Sequence, residues 1–336
     1  MESDIIQFAE FLKKRHFTRS ILLWFKKNNR KLIWRDLRSP YNTYISEIML
    51  QQTTVGTVEK KFPIFIKKYP NFKSFSKSSE KELLSYWSGL GYYRRARNLW
   101  NAVNTINTVH KYKIPSEKNL LMNLPGVGIY TSSAIRTIGY NIPDTPVDIN
   151  IYRLFSGLYG TELSHKQIEE ILKFIWPKNH SRNFTEALMD LASIIKKKST
   201  PKVNNLDLTK YLFANNQKKI YLIKTKKKLM KKININFFII KYKNQIAFLK
   251  KPNLSFFSGF EHLPNNKDLL TNTLSKNNKL KKIKDIKYVI TNHNLQISVF
   301  EIVMNSKNKK FKWHKSVDLI HIPLPTLYKK ILSLIS

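Results

Sequence analysis

The chain has 336 residues, 42% of them apolar and 12% aromatic, enough to build ordinary globular cores in two domains. Sixty lysines and arginines stand against 22 acidic residues, a net charge of +38 that exceeds what solubility requires and suits polyanionic partners. The complete lack of cysteine excludes disulfides, thiolate catalysis and cysteine-ligated zinc or iron–sulfur centres, and the eight histidines are too scattered for a typical metal site.

Two other readings of the charge stay open: an anionic membrane surface, and drift under AT-rich coding, which also enriches Lys, Asn and Ile. No run of about 18 uninterrupted apolar residues offers a membrane span. The N-terminus MESDIIQFAEFLKKRHF interleaves Glu2, Asp4 and Glu10 with apolar residues, unlike a secretory signal, so the protein is expected to stay where it is made.

From Ile5 to about Leu212 apolar residues recur at helical spacing. Ile45, Ile48, Met49, Gln52 and Val55 form one stripe, and Leu83, Leu84, Trp87 and Leu90 another. Gly and Pro break the runs at Ser39-Pro40, Gly89-Leu90-Gly91, Pro115-Ser116, Pro125 to Gly128 and Pro143 to Pro146, as in an all-helical globule with short connections. After residue 213 a lysine-dominated stretch reads as a linker over 214–232. Residues 233–336 then show short strand patterns in ININFFIIKY, NQIAFLKK, IKYVITNHNLQISVFEIV and KKFKWHKS, and a closing helix over Thr326 to Ile335. The expected architecture is a helical domain over 1–213 and a smaller α+β domain over 233–336.

Two stretches carry candidate chemistry. In LPGVGIYTSSAI, Gly126, Val127 and Gly128 allow a tight reversal whose bare backbone, followed by the free N–H groups of a new helix, forms a cradle for a phosphate. A plain helix–helix turn fits this motif equally well. Glu47 lies inside an apolar helical stripe, where desolvation raises a carboxyl pKa, whereas Asp148 sits on a connection in PVDINIYRL and is expected to be the anion. An acid and an anion in different environments are the parts needed to cleave a glycosidic bond. The structural alternatives are a paired Glu47 and an Asp148 that merely caps the next helix.

These motifs, with YISEIMLQQT and WSGLGYYRRARNL, resemble the helix-hairpin-helix DNA glycosylases, and within them the adenine DNA glycosylases of the MutY type. The resemblance runs from about Trp24 through Asp190 and returns more weakly in the C-terminal domain. It implies an all-α helix-hairpin-helix domain followed by a Nudix-like lesion-recognition domain. It further implies a monomer located in the cytoplasm with the nucleoid, without membrane association. The expected activity is base excision repair: hydrolysis of the bond to adenine mispaired with 8-oxoguanine or G in double-stranded DNA, after base flipping. Glu47 would protonate the adenine, Asp148 would stabilise the sugar cation and Asn150 would support the water or the acid. Gln51, Gln52 and Thr53 would probe the DNA, Tyr92 would wedge into the stack, and Arg35, Arg95 and Arg97 would contact phosphates or neighbouring groups. Tyr130 stands where strand-cleaving relatives carry a Schiff-base lysine, which implies excision without lyase chemistry.

The chain departs from that pattern in three places. The four positions aligned with the family's 4Fe-4S ligands are Lys196, Val203, Leu206 and Leu212, so no cofactor is expected and an apolar core is expected in its place. Ile149 occupies a position where the family has glycine. The lesion-reading candidates of the C-terminal domain are altered to Phe257, Thr291, Asn292 and a displaced His293. A mismatch thymine glycosylase and a catalytically degraded basic DNA-binding protein are the competing readings.

Overall fold

The computed structural model describes residues 2–195, 202–214, 220, 230–249, 260–265, 280–290, 293–322 and 324–335. The chain forms two compact units, Met1–Ser78 with Arg97–Thr225 and Ser79–Ala96 with Lys226–Ser336. The sequence reading groups 79–96 with the helical domain. In the structure this segment belongs to the second unit, where the Tyr93 ring meets Phe260 and Ser88 bonds Lys329.

In the first unit, α1 (Glu2–Lys14) and α2 (Phe17–Asn28) pack with α11 (Ile149–Tyr159), α12 (His165–Ile175) and α13 (Ser181–Ile195). Phe8, Leu12, Phe17, Ile21, Phe155, Ile171 and Leu188 are fully or almost fully buried in that core. Local signals fix the helix ends: Ser164 and Gln167 form a capping box before α12, and Gly160, at φ 105, closes α11 in the left-handed conformation.

Between these helices the chain builds α3 (Ile33–Asp36), α4 (Pro40–Leu50), α5 (Val55–Lys68), α6 (Phe72–Phe75), α8 (Arg94–Thr108, begun in the second unit), α9 (Lys118–Met122) and α10 (Ile129–Ala134). The short α7 (Glu80–Tyr86) belongs to the second unit. Ser39 caps α4 by accepting the Asn42 N–H, and Pro40 opens its first turn. α4 lies against α10 and the π-helical continuation Ile135–Gly139. Gly139 permits the approach, since a Cβ there would stand 3.0 Å from Pro40 Cα. Gln52 does not continue the α4 stripe; the helix ends at Leu50 and Gln52 turns left-handed at φ 55.

The expected all-helical character also breaks at β1 (Lys202–Val203) and β2 (Leu206–Asp207), joined by Asn204 and Asn205, both at positive φ. Val203, Leu206, Leu208 and Tyr211 are buried in the core of α1, α2 and α11 to α13, and half-buried Leu212 packs against it. Three of the four positions aligned with the cluster ligands are therefore hydrocarbon in an apolar core, which does not fit a metal cluster. Lys196 lies outside the described residues. Among those described, no group of three His, Cys, Asp or Glu side chains is placed to hold a metal ion.

The second unit holds β3 (Lys231–Tyr242), β4 (Gln245–Phe248), β5 (Leu280–Ile290), β6 (His293–Val303) and β7 (Lys312–Lys315) in the order β5-β6-β3-β4-β7. β3 and β6 run parallel and all other pairs antiparallel. One sheet face buries Ile235, Phe237, Leu295, Ile297 and Val299 against Leu327, Tyr328 and Ile331 of α14 (Thr326–Leu332). The other carries a smaller cluster around Phe238, Ile240, Ile302 and Phe311. No helix among the described residues is long and apolar enough to cross a membrane.

Leu208 is fully buried in the helical core. Leu208→Ala is expected to destabilise the first unit by about 2–5 kcal/mol, read from the urea midpoint.

Candidate active site

Glu47 sits on the buried side of α4 with 8% of its surface exposed. The half-buried Tyr130, in the first turn of α10, brings its hydroxyl close enough to the Glu47 carboxyl to favour its charged form. Burial is the main force on Glu47 and pushes its pKa up to about 7; the Tyr130 hydrogen bond opposes it, the charge of Asp148 reinforces it and that of Arg35 opposes it. Burial and the nearby carboxylates hold the Tyr130 hydroxyl well above the usual phenol range, so it is a fixed donor. Glu47, Tyr130 and Asp148, up to about a hundred residues apart in sequence, thus act on one another directly.

Asp148 is both a helix cap and a neighbour of Glu47. One carboxylate oxygen accepts the backbone N–H groups of Asn150 and Ile151 at 2.9 and 2.7 Å, and the other accepts the Asn150 side-chain amide at 2.8 Å. Ile149 is 52% exposed, and Asp148 keeps all three cap bonds beside it. The buried Asn150 Oδ1 has no hydrogen-bond partner among the described residues.

A cavity of about 60 Å³ adjoins Glu47, lined among others by Trp34, Thr43, Ser46, Ile138, Glu186 and Met189. Its charged wall was not apparent from sequence. Arg35 is buried and clasped by Asp190 at 2.8 and 3.0 Å, with Glu186 at 3.7 Å; Arg30 adds a 2.6 Å bond to Asp190, and Arg38 a 2.9 Å bond to Glu186. Burial raises the Asp190 carboxyl, but the Arg35 and Arg30 contacts outweigh it and leave the net shift downward. Burial wins at Glu186, whose pKa is raised. Arg35 is therefore an internal counter-ion, held among neighbouring carboxylates. The available signal was a pair of carboxylates four residues apart on one helix, Glu186 and Asp190, each flanked by apolar residues on its C-terminal side.

The two hairpin glycines do different work. Gly126 has φ 83, and a Cβ there would stand 2.9 Å from the Asn98 Cβ, so both backbone and packing require glycine. At Gly128 a Cβ would meet nothing within 4 Å, and the first-turn N–H groups of α10 follow. Val127 offers no free donor: its side chain is buried and its N–H bonds the Leu124 carbonyl. Gln51 turns toward the hairpin, its amide donating to the Gly126 carbonyl at 3.4 Å and the Thr131 hydroxyl at 3.3 Å. Gln52 is exposed, and Thr53 donates to the Gln51 carbonyl.

Tyr92 lies in the second unit, 40% exposed and at φ 45. Arg95 is buried, donates to the Leu90 and Gly91 carbonyls, has its pKa lowered to about 10 by burial, and so supports this loop. Arg97 is half-buried on α8. His293 opens β6, while Phe257, Thr291 and Asn292 lie outside the described residues.

A helix–glycine hairpin–helix beside a protonatable acid and a capped aspartate defines the frame of a base-excision DNA repair protein. The family model "HhH-GPD superfamily base excision DNA repair protein" matches residues 45–178. Adenine DNA glycosylase from Buchnera aphidicola subsp. Baizongia pistaciae is 33% identical, across 94% of this chain and 96% of that one. The same enzyme from Buchnera aphidicola subsp. Schizaphis graminum is 32% identical across 95% and 98%. The solved structure of a thermostable thymine-DNA glycosylase matches with a TM-score of 0.54 at 29% identity, over 59% of this chain and 95% of its own. The chain belongs to the adenine DNA glycosylase family.

Two stability predictions follow from this geometry. A carboxyl whose folded pKa is raised contributes fully below its unfolded pKa, and the contribution is lost as pH rises through the folded value near 7. Glu47→Gln should therefore exceed the parent chain in stability by about 3 kcal/mol at pH 8 and lose that advantage at pH 4, measured by denaturant unfolding. Gly126→Ala should cost about 1–3 kcal/mol, whereas Gly128→Ala should stay within about 0.5 kcal/mol of the parent.

Proposed function

We propose that this chain is a monofunctional adenine DNA glycosylase that removes adenine mispaired with 8-oxoguanine or guanine from duplex DNA. The observation that carries this reading is the buried Glu47 on α4, with its pKa near 7, coupled to Tyr130 and Asp148 beside a small cavity. Adenine cannot reach such a recess from within a duplex, so the base is flipped out of the stack. Glu47 donates its proton to the adenine ring, the bond from C1′ to the base breaks, and the bonding electrons leave with the base. The Asp148 carboxylate stabilises the cationic sugar. Water adds at C1′ and releases a proton; the unpartnered Asn150 Oδ1 is placed to orient it. With tyrosine at position 130 no Schiff base forms there, so the strand stays intact.

The exposed amides after Gly128 hold a DNA phosphate, and Gln52, Thr53 and Tyr92 act at the distorted base pair. The C-terminal sheet unit serves as a Nudix-like lesion reader, with His293 beside the reading positions. Catalysis needs no metal cluster, in keeping with the hydrocarbon residues Val203, Leu206 and Leu212. The protein works as a monomer. The likeness to a thymine-DNA glycosylase structure favours a second reading, T/G mismatch repair, but it covers only 59% of the chain, whereas the adenine enzymes match along nearly its whole length.

Labelled duplexes carrying A opposite 8-oxoguanine, A opposite G, or T opposite G, treated with protein and then hot alkali, separate these readings. Breaks confined to the adenine strand and appearing only after alkali are expected. Breaks without alkali refute the monofunctional assignment, and salt-sensitive binding without any breaks identifies a degraded binding protein. Glu47→Gln should abolish excision while binding persists, and the single-turnover rate should fall as pH rises past about 7.

A further inference from the structure

In the second unit, Gly89, Gly91 and Tyr92 all hold left-handed backbone, at φ 95, 67 and 45. Glycine adopts this conformation freely; tyrosine holds it only where its surroundings impose it. Arg95 supplies much of that constraint. Its guanidinium donates to the Leu90 carbonyl at 2.9 Å and the Gly91 carbonyl at 3.2 Å, and lies 5.4 Å from the Trp87 ring centroid and 5.6 Å from that of Tyr92. The Trp87 indole donates to the same Gly91 carbonyl at 3.1 Å. The loop is thus built around a buried cation, with Tyr92 exposed at its edge.

The adjacent tyrosine is buried. The Tyr93 ring meets Phe260 edge-on, with centroids 4.3 Å apart. Its hydroxyl faces Ser88, the Gly89 backbone and Thr326 without reaching ordinary hydrogen-bond geometry. Lys329 of α14 donates to the Ser88 hydroxyl at 2.9 Å. Residues 87–95 are therefore fastened to the sheet unit by an aromatic contact and a hydrogen bond, and held internally by Arg95.

We infer that Tyr93 is a positioning residue for opposite-base specificity: by docking the Tyr92 loop on the sheet unit, it makes wedge and lesion reader one rigid element. The inference rests on the function proposed above. Tyr93 touches no reacting atom, so its loss should change which opposite base is recognised more than the rate of bond cleavage.

The test uses the full chain and single-turnover excision of adenine opposite 8-oxoguanine and opposite guanine. Tyr93→Ala and Phe260→Ala should each lower the ratio of the two rates by about tenfold or more while the rate opposite guanine changes far less. Tyr93→Phe should keep the ratio, because the ring contact survives and the hydroxyl has no well-formed bond to lose. Thermal unfolding establishes that each variant is folded; should Tyr93→Ala not fold, Tyr93→Leu preserves apolar volume without the aromatic edge and carries the same expectation. Binding gives a readout independent of catalysis. Fluorescence of 2-aminopurine beside the 8-oxoguanine should rise with the parent chain as Tyr92 disturbs the stack, and Tyr93→Ala should lose that rise. Folded variants with an unchanged ratio and an unchanged fluorescence rise overturn the inference. A parent chain that excises no adenine overturns the proposed function instead, and the fluorescence comparison then still decides the role of Tyr93.

Discussion

A carboxyl group removed from water must be neutral, or must recover from its neighbours what hydration supplied. Much of the first unit is arranged around that constraint at Glu47. The Tyr130 hydroxyl on α10 and the positive charge of Arg35 both favour its ionised form. Arg35 is itself buried and requires Asp190 and Glu186 on α13. Removing one member of such a set leaves an uncompensated charge, so the arginine and its carboxylates constrain α3, α4 and α13 together. The balance stops short of full ionisation, and the carboxyl holds its proton up to near neutrality.

The neighbouring acid has a different solution. Asp148 keeps both oxygens occupied by the amides of Asn150 and Ile151, which also begin α11. Cap and candidate catalytic group are one residue, so the two readings open at the level of sequence do not compete. The hairpin divides its labour likewise, with Gly126 serving the fold and Gly128 leaving a backbone open to solvent. The same economy appears in the second unit, where consecutive tyrosines face opposite ways, one exposed and one anchoring.

Much of this was legible in the sequence because it lies in continuous motifs. The helices and the hairpin are marked by neighbours a few residues away, as are the contrasting settings of Glu47 and Asp148, whereas Tyr130 and Asn150 were singled out only by the family resemblance. What was hidden depends on long-range partners. Nothing near Arg35 points to Asp190, 155 residues on, and in so basic a chain an internal arginine looks like a surface one. The β1–β2 turn uses Asn-Asn, a weaker signal than Asn-Gly, and the left-handed Gln52 interrupts a stripe whose spacing alone suggested more helix. Residues 79–96 read as helical and partly are, but spacing carries no information about which unit buries them.

The main helical core joins α1 and α2 to α11, α12, α13 and the β1–β2 hairpin. Residues near the start of the chain therefore find most of their partners only as α11 to α13 and then the β1–β2 hairpin are made, more than a hundred residues later. During synthesis the intervening helices emerge first, while the apolar faces of α1 and α2 wait exposed, so this unit cannot fold strictly in the order of its translation. A ribosome stalled before α13 would hold a nascent chain with Glu47 already made and the arginines behind it still lacking Glu186 and Asp190.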